Sequence, residues 1–148
     1  MKLEFDPRRR ELLLQICHKR VTFDRGSDEV LVSVRDFFLG NADLGSIGCN
    51  LMPHPGMETF ASVLETIRER PDVQDVLIGI TDLNDAVTDS WPFSDRVYVI
   101  STAPIAEVKK WVQALRPDEV SEVGSGEIGP SHMPTPEPGH TLYRAWWD

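Results

Sequence analysis

The chain has 148 residues, 41% of them apolar and 26% charged, a balance that fits one globular domain with its own core and excludes a wholly disordered segment. Fifteen Lys and Arg against 24 Asp and Glu leave a formal charge of −9, which repels phosphate backbones and argues against nucleic acid as a partner. There is no apolar run of about 18 residues and no signal-like apolar stretch after Met1, and Cys17 and Cys49 form no C-x-x-C pair; the expectation is a cytoplasmic protein with free thiols and no membrane span.

Asp6 before Pro7 supplies a helix cap and a first-turn proline, and Leu12, Leu13, Ile16 and Cys17 then recur on one side, so a first helix is expected over Pro7–His18. Arg8, Arg9 and Arg10 lie in its first turn, where the helix dipole disfavours cations. With His18, Lys19 and Arg20 they form the one basic cluster of the chain, read as a solvated helix face. Val21–Phe23 and Glu29–Val32 have the composition of short strands around an Asp24–Ser27 turn. Ser33, three residues ahead of Asp36, caps a short helix over Val34–Leu39 that Gly40 ends; Phe37 and Phe38 are adjacent, so only one is expected to face inward. Residues 1–45 thus read as an N-terminal helical and hairpin extension.

From Ser46 the periodicity is sharper. Ile47, Cys49 and Leu51 alternate with Gly48 and Asn50, which predicts a strand before the Met52–Gly56 turn. Met57, Phe60, Val63, Leu64 and Ile67 then mark an amphipathic helix to about Arg70. Asp72–Leu83 carries Val76, Ile78 and Ile80 on one face and Leu77, Gly79 and Thr81 on the other, as expected of an interior strand. Val97–Ile100 predicts the next strand, Ile105, Val108, Val112 and Leu115 the next helical stripe, and Asp118–Val123 a further strand.

Arg70-Pro71-Asp72 and Arg116-Pro117-Asp118 each end a helix and open a strand, so residues 46–123 repeat one plan and give the order βαββαβ. That order resembles the ferredoxin-like α+β sandwich, in which two helices cover one face of an antiparallel sheet. Residues 124–140, rich in Gly and Pro, are expected as a long loop. Thr141–Trp147 is expected as an extra C-terminal strand, in residues 141–148, returning to the sheet edge.

Chemistry is sparsely signalled. Asp82, Asn84, Asp85, Asp89 and Asp95 fill the loop between the two inner strands, but in a loop counted from Asp82 the fifth position is Ala86 and the sixth Val87, which fails the calcium-loop pattern. Cys49, Asn50 and His54 have the residue types of an activated thiolate, yet alternation assigns Cys49 to the buried face of its strand. No zinc spacing, phosphate loop or nucleophile elbow occurs, and no cofactor or metal is expected.

The acidic loop instead places aromatic side chains beside carboxylates, a composition suited to a protein surface: Asp82, Asp85, Asp89, Trp91, Phe93 and Asp95, with Trp146 and Trp147 from the last strand. The leading expectation is a non-catalytic interaction module for a basic protein, such as an immunity-type inhibitor, with a homodimer through an open sheet edge as a further form. The alternative is a small-molecule binder or enzyme with a pocket between the sheet and residues 124–140, to which Cys49, Asn50 and His54 contribute.

Overall fold

The structure is a computed structural model that describes residues 7–23, 29–82, 91–124 and 133–148, with the side chains of 19–23 excepted. Helix α1 spans Pro7–Phe23 and is followed by strand β1, Val30–Ser33, and by helix α2, Val34–Phe38. Ser33 caps α2 as its sequence position requires, its Oγ accepting from Asp36 N at 3.0 Å. The Val21–Phe23 run continues α1 instead of forming a strand, because an existing helix outweighs the β preference of three residues. The Asp24–Ser27 turn lies outside the described residues. Arg8 pairs with Glu11 one turn on, which offsets part of the repulsion between the first-turn arginines and the helix dipole.

The strand expected over residues 46–51 does not form. A single 3-10 turn at Leu44–Ser46 leads into bends, and Gly48 takes φ +63°, a left-handed conformation that no strand uses. The site also demands glycine for space, since a Cβ there would lie 2.9 Å from the Phe60 ring and 2.9 Å from Leu51 Cδ1. The alternation of Ile47 and Leu51 therefore reports a turn that buries Ile47, and the first sheet strand is β1, upstream.

Helix α3, Met57–Arg68, buries Met57, Phe60, Leu64 and Ile67 as its stripe dictates. It leads into β2, Val73–Ile80, then β3, Arg96–Ser101, helix α4, Ile105–Trp111, and a 3-10 turn at Gln113–Leu115. Strands β4, Glu119–Glu122, and β5, Thr141–Trp146, complete the order. All four pairings are antiparallel and the five strands lie in the order β1-β2-β3-β5-β4. Among the described residues the architecture is α+β, with four α-helices and an open antiparallel sheet.

That order departs from the ferredoxin-like plan, which needs a strand at 46–51 in the sheet interior. It also moves the C-terminal strand: β5 is inserted between β3 and β4, not added at the edge. The reason is in the register, which sets Tyr143 against Val99 and Ala145 against Val97, so that β5 buries its apolar face in the sheet centre. Strand β2 is interior, as its two apolar faces require.

One face of the sheet meets the helices. Val30 and Val32 of β1, Val76, Ile78 and Ile80 of β2, Val97 and Val99 of β3 and Tyr143 and Ala145 of β5 share a single buried cluster with Leu12 and Ile16 of α1, Phe37 and Phe38 of α2, the α3 stripe, Val108 and Leu115. Both Phe37 and Phe38 are buried, edge to face with centroids 4.9 Å apart, because α2 has partners on two sides, the sheet and α3.

Polar bonds pin the connections. Asn41 Nδ2 donates to Ser46 Oγ at 3.0 Å, Ser46 Oγ donates to Asp43 O at 2.7 Å, and Asp43 Oδ2 accepts from Trp91 N at 2.9 Å. Trp147 Nε1 donates to Leu115 O at 2.8 Å, and Tyr143 Oη donates to Ala103 O at 2.6 Å. The two Arg-Pro-Asp segments diverge in use. Arg70 pairs with Asp72 at 3.0 Å and lies 4.1 Å over the Trp111 ring. Arg116, left-handed at φ 49°, donates to the carbonyls of Met52 and Pro53.

Candidate functional site

Strand alternation puts Leu31, Gly79, Arg96, Tyr98, Ile100, Leu142, Arg144 and Trp146 on the face turned away from the helices. A charged cluster forms there around Glu29, the residue that leads into β1. Glu29 Oε2 accepts from the Tyr98 hydroxyl at 3.0 Å and lies 3.8 Å from Arg96 Nη1. The Arg96 guanidinium grips Asp95 more closely, with Nε 2.7 Å from Oδ1 and Nη2 3.4 Å from Oδ2. Gly79 makes this possible: a Cβ there would sit 2.1 Å from Glu29 Oε1 and 2.9 Å from Arg96 Cγ.

The electrostatics follow from these distances. Burial pushes the Glu29 carboxyl above its ordinary range, and the Tyr98 hydrogen bond and the Arg96 charge only partly oppose it. Arg96 is held protonated still more firmly than usual, first by its hydrogen bonds to Asp95. The Tyr98 hydroxyl is raised by burial and then by the neighbouring Glu29 charge. Glu29 gains little from Arg96 because Asp95 occupies the nearer side of the guanidinium.

A raised carboxyl favours the protonated form in the fold, so its contribution is fully present below the unfolded carboxylate value and is lost as pH rises through the higher folded value. Glu29→Gln keeps an acceptor for Tyr98 and cannot ionise. Urea titrations from pH 4 to pH 8 are expected to show wild type losing stability relative to Glu29→Gln as pH rises; a constant difference would exclude the buried carboxyl as the cause.

Cys49, Asn50 and His54 lie on one turn, and the bonds of His54 and Asn50 go to main-chain groups. Gly56 N donates to His54 Nδ1 at 2.9 Å, which leaves Nε2 to donate to Ile47 O at 2.8 Å, so both ring nitrogens serve the backbone of the 47–56 turn. Cys49 is exposed on that turn, contrary to the buried position that alternation assigned, because the strand is absent. Asn50 Nδ2 donates to Asp148 O at 2.7 Å and ties the same turn to the C-terminus.

Of the expected acidic and aromatic surface, Asp85 and Asp89 lie outside the described residues. Asp82 and Phe93 face each other in an isolated bridge, with Phe93 N donating to Asp82 O at 2.7 Å. Asp95 is taken by Arg96. Trp91 is only 3% exposed and Trp147 2%, so both are core residues and neither belongs to a surface. Trp91 fills the space beside the 41–46 turn, and Trp147 stands 5.7 Å from the Phe60 ring. Phe93 and Trp146 keep partial exposure.

Gln74 ties residues 135–137 to the sheet: its Nε2 donates to Thr135 O at 3.1 Å and its Oε1 accepts from Glu137 N at 2.8 Å. Residues 125–132 of the expected pocket lie outside the described residues. Among the described residues no group of three or more His, Cys, Asp or Glu is placed to hold a metal, and no helix is long and apolar enough to cross a membrane.

Strand β4 was missed as a site because its residues, Glu119-Val120-Ser121-Glu122, carry no motif. Among the described residues it ends the sheet, with β5 as its one neighbour, and exposes Glu119 and Glu122 beside the exposed Asp118. An open groove of about 440 Å³ runs along it, lined by Lys109 of α4, by Gln113 of the following 3-10 turn and by Arg116, Asp118, Glu119 and Val120. The signal available in the sequence was three acids within five residues of a short strand.

Fold and surface together define an α+β protein that sets its helices on one face of an antiparallel sheet, holds a charged cluster on the other and ends in an acidic edge. The chain belongs to the family described as "Uncharacterized protein YfbO family", whose model matches residues 8–145. It is 38% identical over 119 residues to the protein of Escherichia coli (strain K12) described as "Uncharacterized protein YfbO", a match that covers 80% of this chain and 82% of that one. No solved structure matches.

Proposed function

We propose that the protein is a non-catalytic binding module for a basic protein partner. The observation that carries this reading is the acidic end of the sheet, where Asp118, Glu119 and Glu122 are exposed on and beside a short edge strand. The surplus of nine negative charges acts in the same direction, because a field of one sign speeds encounter with a partner of the other. The candidate base supports it too: both ring nitrogens of His54 bond to the backbone of the 47–56 turn. An immunity-type inhibitor of a cationic enzyme is one form such a module takes.

The test is capture of partners by the full tagged chain at low ionic strength from cells that encode it, followed by purification of the partner and direct titration. A basic partner whose affinity falls with added salt supports the reading. Recovery of nothing beyond the bait, or of a partner indifferent to salt, removes it.

A further inference from the structure

The backbone pattern of β4 says how such a partner would be held. Trp147 N donates to Asp95 O, so the odd-numbered residues of β5 turn their amides to β3 and the even-numbered ones turn to β4. Val123 N donates to Leu142 O at 2.9 Å, in agreement with that alternation. Glu119 and Ser121, opposite Trp146 and Arg144, therefore face β5. Val120 and Glu122 direct their N–H and C=O groups away from the sheet, and among the described residues no partner accepts or donates to them.

We infer that β4 takes an extended, basic segment of another protein as a sixth strand. This rests on the reading of the protein as a module for a basic partner, and it names the place and mode. Main-chain bonds to Val120 and Glu122 would supply the ladder, and side chains of alternate residues would reach opposite faces. On the helix side the added strand meets the groove beside Val120; on the other side it meets Glu119 and the partly exposed Trp146.

Charge selects the occupant. A second copy pairing edge to edge would bring Asp118, Glu119 and Glu122 of both chains around one four-residue ladder, where like charges oppose each other. Lys109 and Arg116 also line the groove and Arg144 stands one strand further in, across a pocket shared with Arg96 and Glu119, so the field is partly offset; the exposed side chains of the strand itself, Glu119 and Glu122, and of Asp118 before it are all acidic. A segment with Lys or Arg at alternate positions meets these carboxylates with opposite sign.

The probe is a synthetic peptide of about nine residues that alternates lysine and valine, titrated into the full chain. At saturation, amide exchange at Val120 and Glu122 is expected to slow about ten-fold or more, while the amide of the exposed Ala42 keeps its rate. Glu122→Pro removes the outward N–H and Glu122→Gln removes the charge alone, so Glu122→Pro is expected to bind about ten-fold more weakly than Glu122→Gln. A peptide N-methylated on the edge-facing amides makes the same comparison on unmodified protein, should the proline variant not fold.

Equal binding of the two variants and of the N-methylated peptide, with salt dependence intact, overturns strand addition and leaves the acidic-module reading standing. No peptide binding at low salt overturns the strand-addition proposal outright. Protection of Val120 and Glu122 in a sedimenting dimer without peptide shows that the edge pairs with itself, and also overturns it.

Discussion

Gly79→Ala is expected to lower the stability of the fold by about 3 kcal/mol, a large loss for one methyl group. The new Cβ would stand 2.1 Å from Glu29 Oε1 and 2.9 Å from Arg96 Cγ, both shorter than any side chain tolerates. Glu29 cannot yield cheaply: it is the acceptor for the Tyr98 hydroxyl and is largely removed from water. Moving it leaves a buried phenol without that acceptor and shifts Arg96, which Asp95 holds from the other side. The mechanism has a signature in a double-mutant cycle. In a Glu29→Ala background the tightest contact is gone and Arg96 Cγ at 2.9 Å remains, so the cost of the alanine in urea denaturation is expected to fall by more than half. Equal costs in the two backgrounds would mean that the loss comes from strand geometry or Arg96 and not from Glu29.

Phe60→Ala is expected to cost about 4 kcal/mol, in the upper range for a buried aromatic. Phe60 is fully buried at the junction of three parts of the chain: its ring lies 5.3 Å from His54, 5.7 Å from Trp147 and 6.5 Å from Phe38. It also fills the space that Gly48 leaves open. A cavity here loosens the 47–56 turn and the C-terminal tryptophan together. Thermal or urea unfolding followed by circular dichroism measures the loss, and a cost below about 2 kcal/mol would show that the surrounding side chains collapse into the hole.

The elements with strong periodicity were legible in the sequence. The stripe of Met57, Phe60, Leu64 and Ile67 and the β-branched runs of β2 and β3 state their own secondary structure, because each pattern matches one geometry over several residues. Ile47, Cys49 and Leu51 fit strand alternation equally well, but a run this short does not separate a strand from a turn whose Gly48 has positive φ. That one reading altered the topology, since it placed the first strand of the sheet after α2 instead of before it.

Pairing was less legible than the strands themselves. The insertion of β5 between β3 and β4 depends on Tyr143 and Ala145 meeting Val99 and Val97, contacts between segments far apart in the chain. The charged cluster is hidden for the same reason, with Glu29 bonded to Tyr98 across 69 positions. Gly79, a lone glycine in the apolar half of β2, was its one local trace. Trp91 and Trp147 look like surface aromatics beside acids, yet both are buried: the Leu115 carbonyl accepts the Trp147 indole N–H, and the Asp43 carboxylate accepts the backbone N–H of Trp91.

If the acid surplus of this chain serves a basic partner, the affinity of the purified partner depends on salt. The dissociation constant is expected to rise about ten-fold or more between roughly 50 and 200 mM salt, with the change carried mainly by slower association. A dissociation constant that stays level across that range, or a partner without excess positive charge, would contradict that reading.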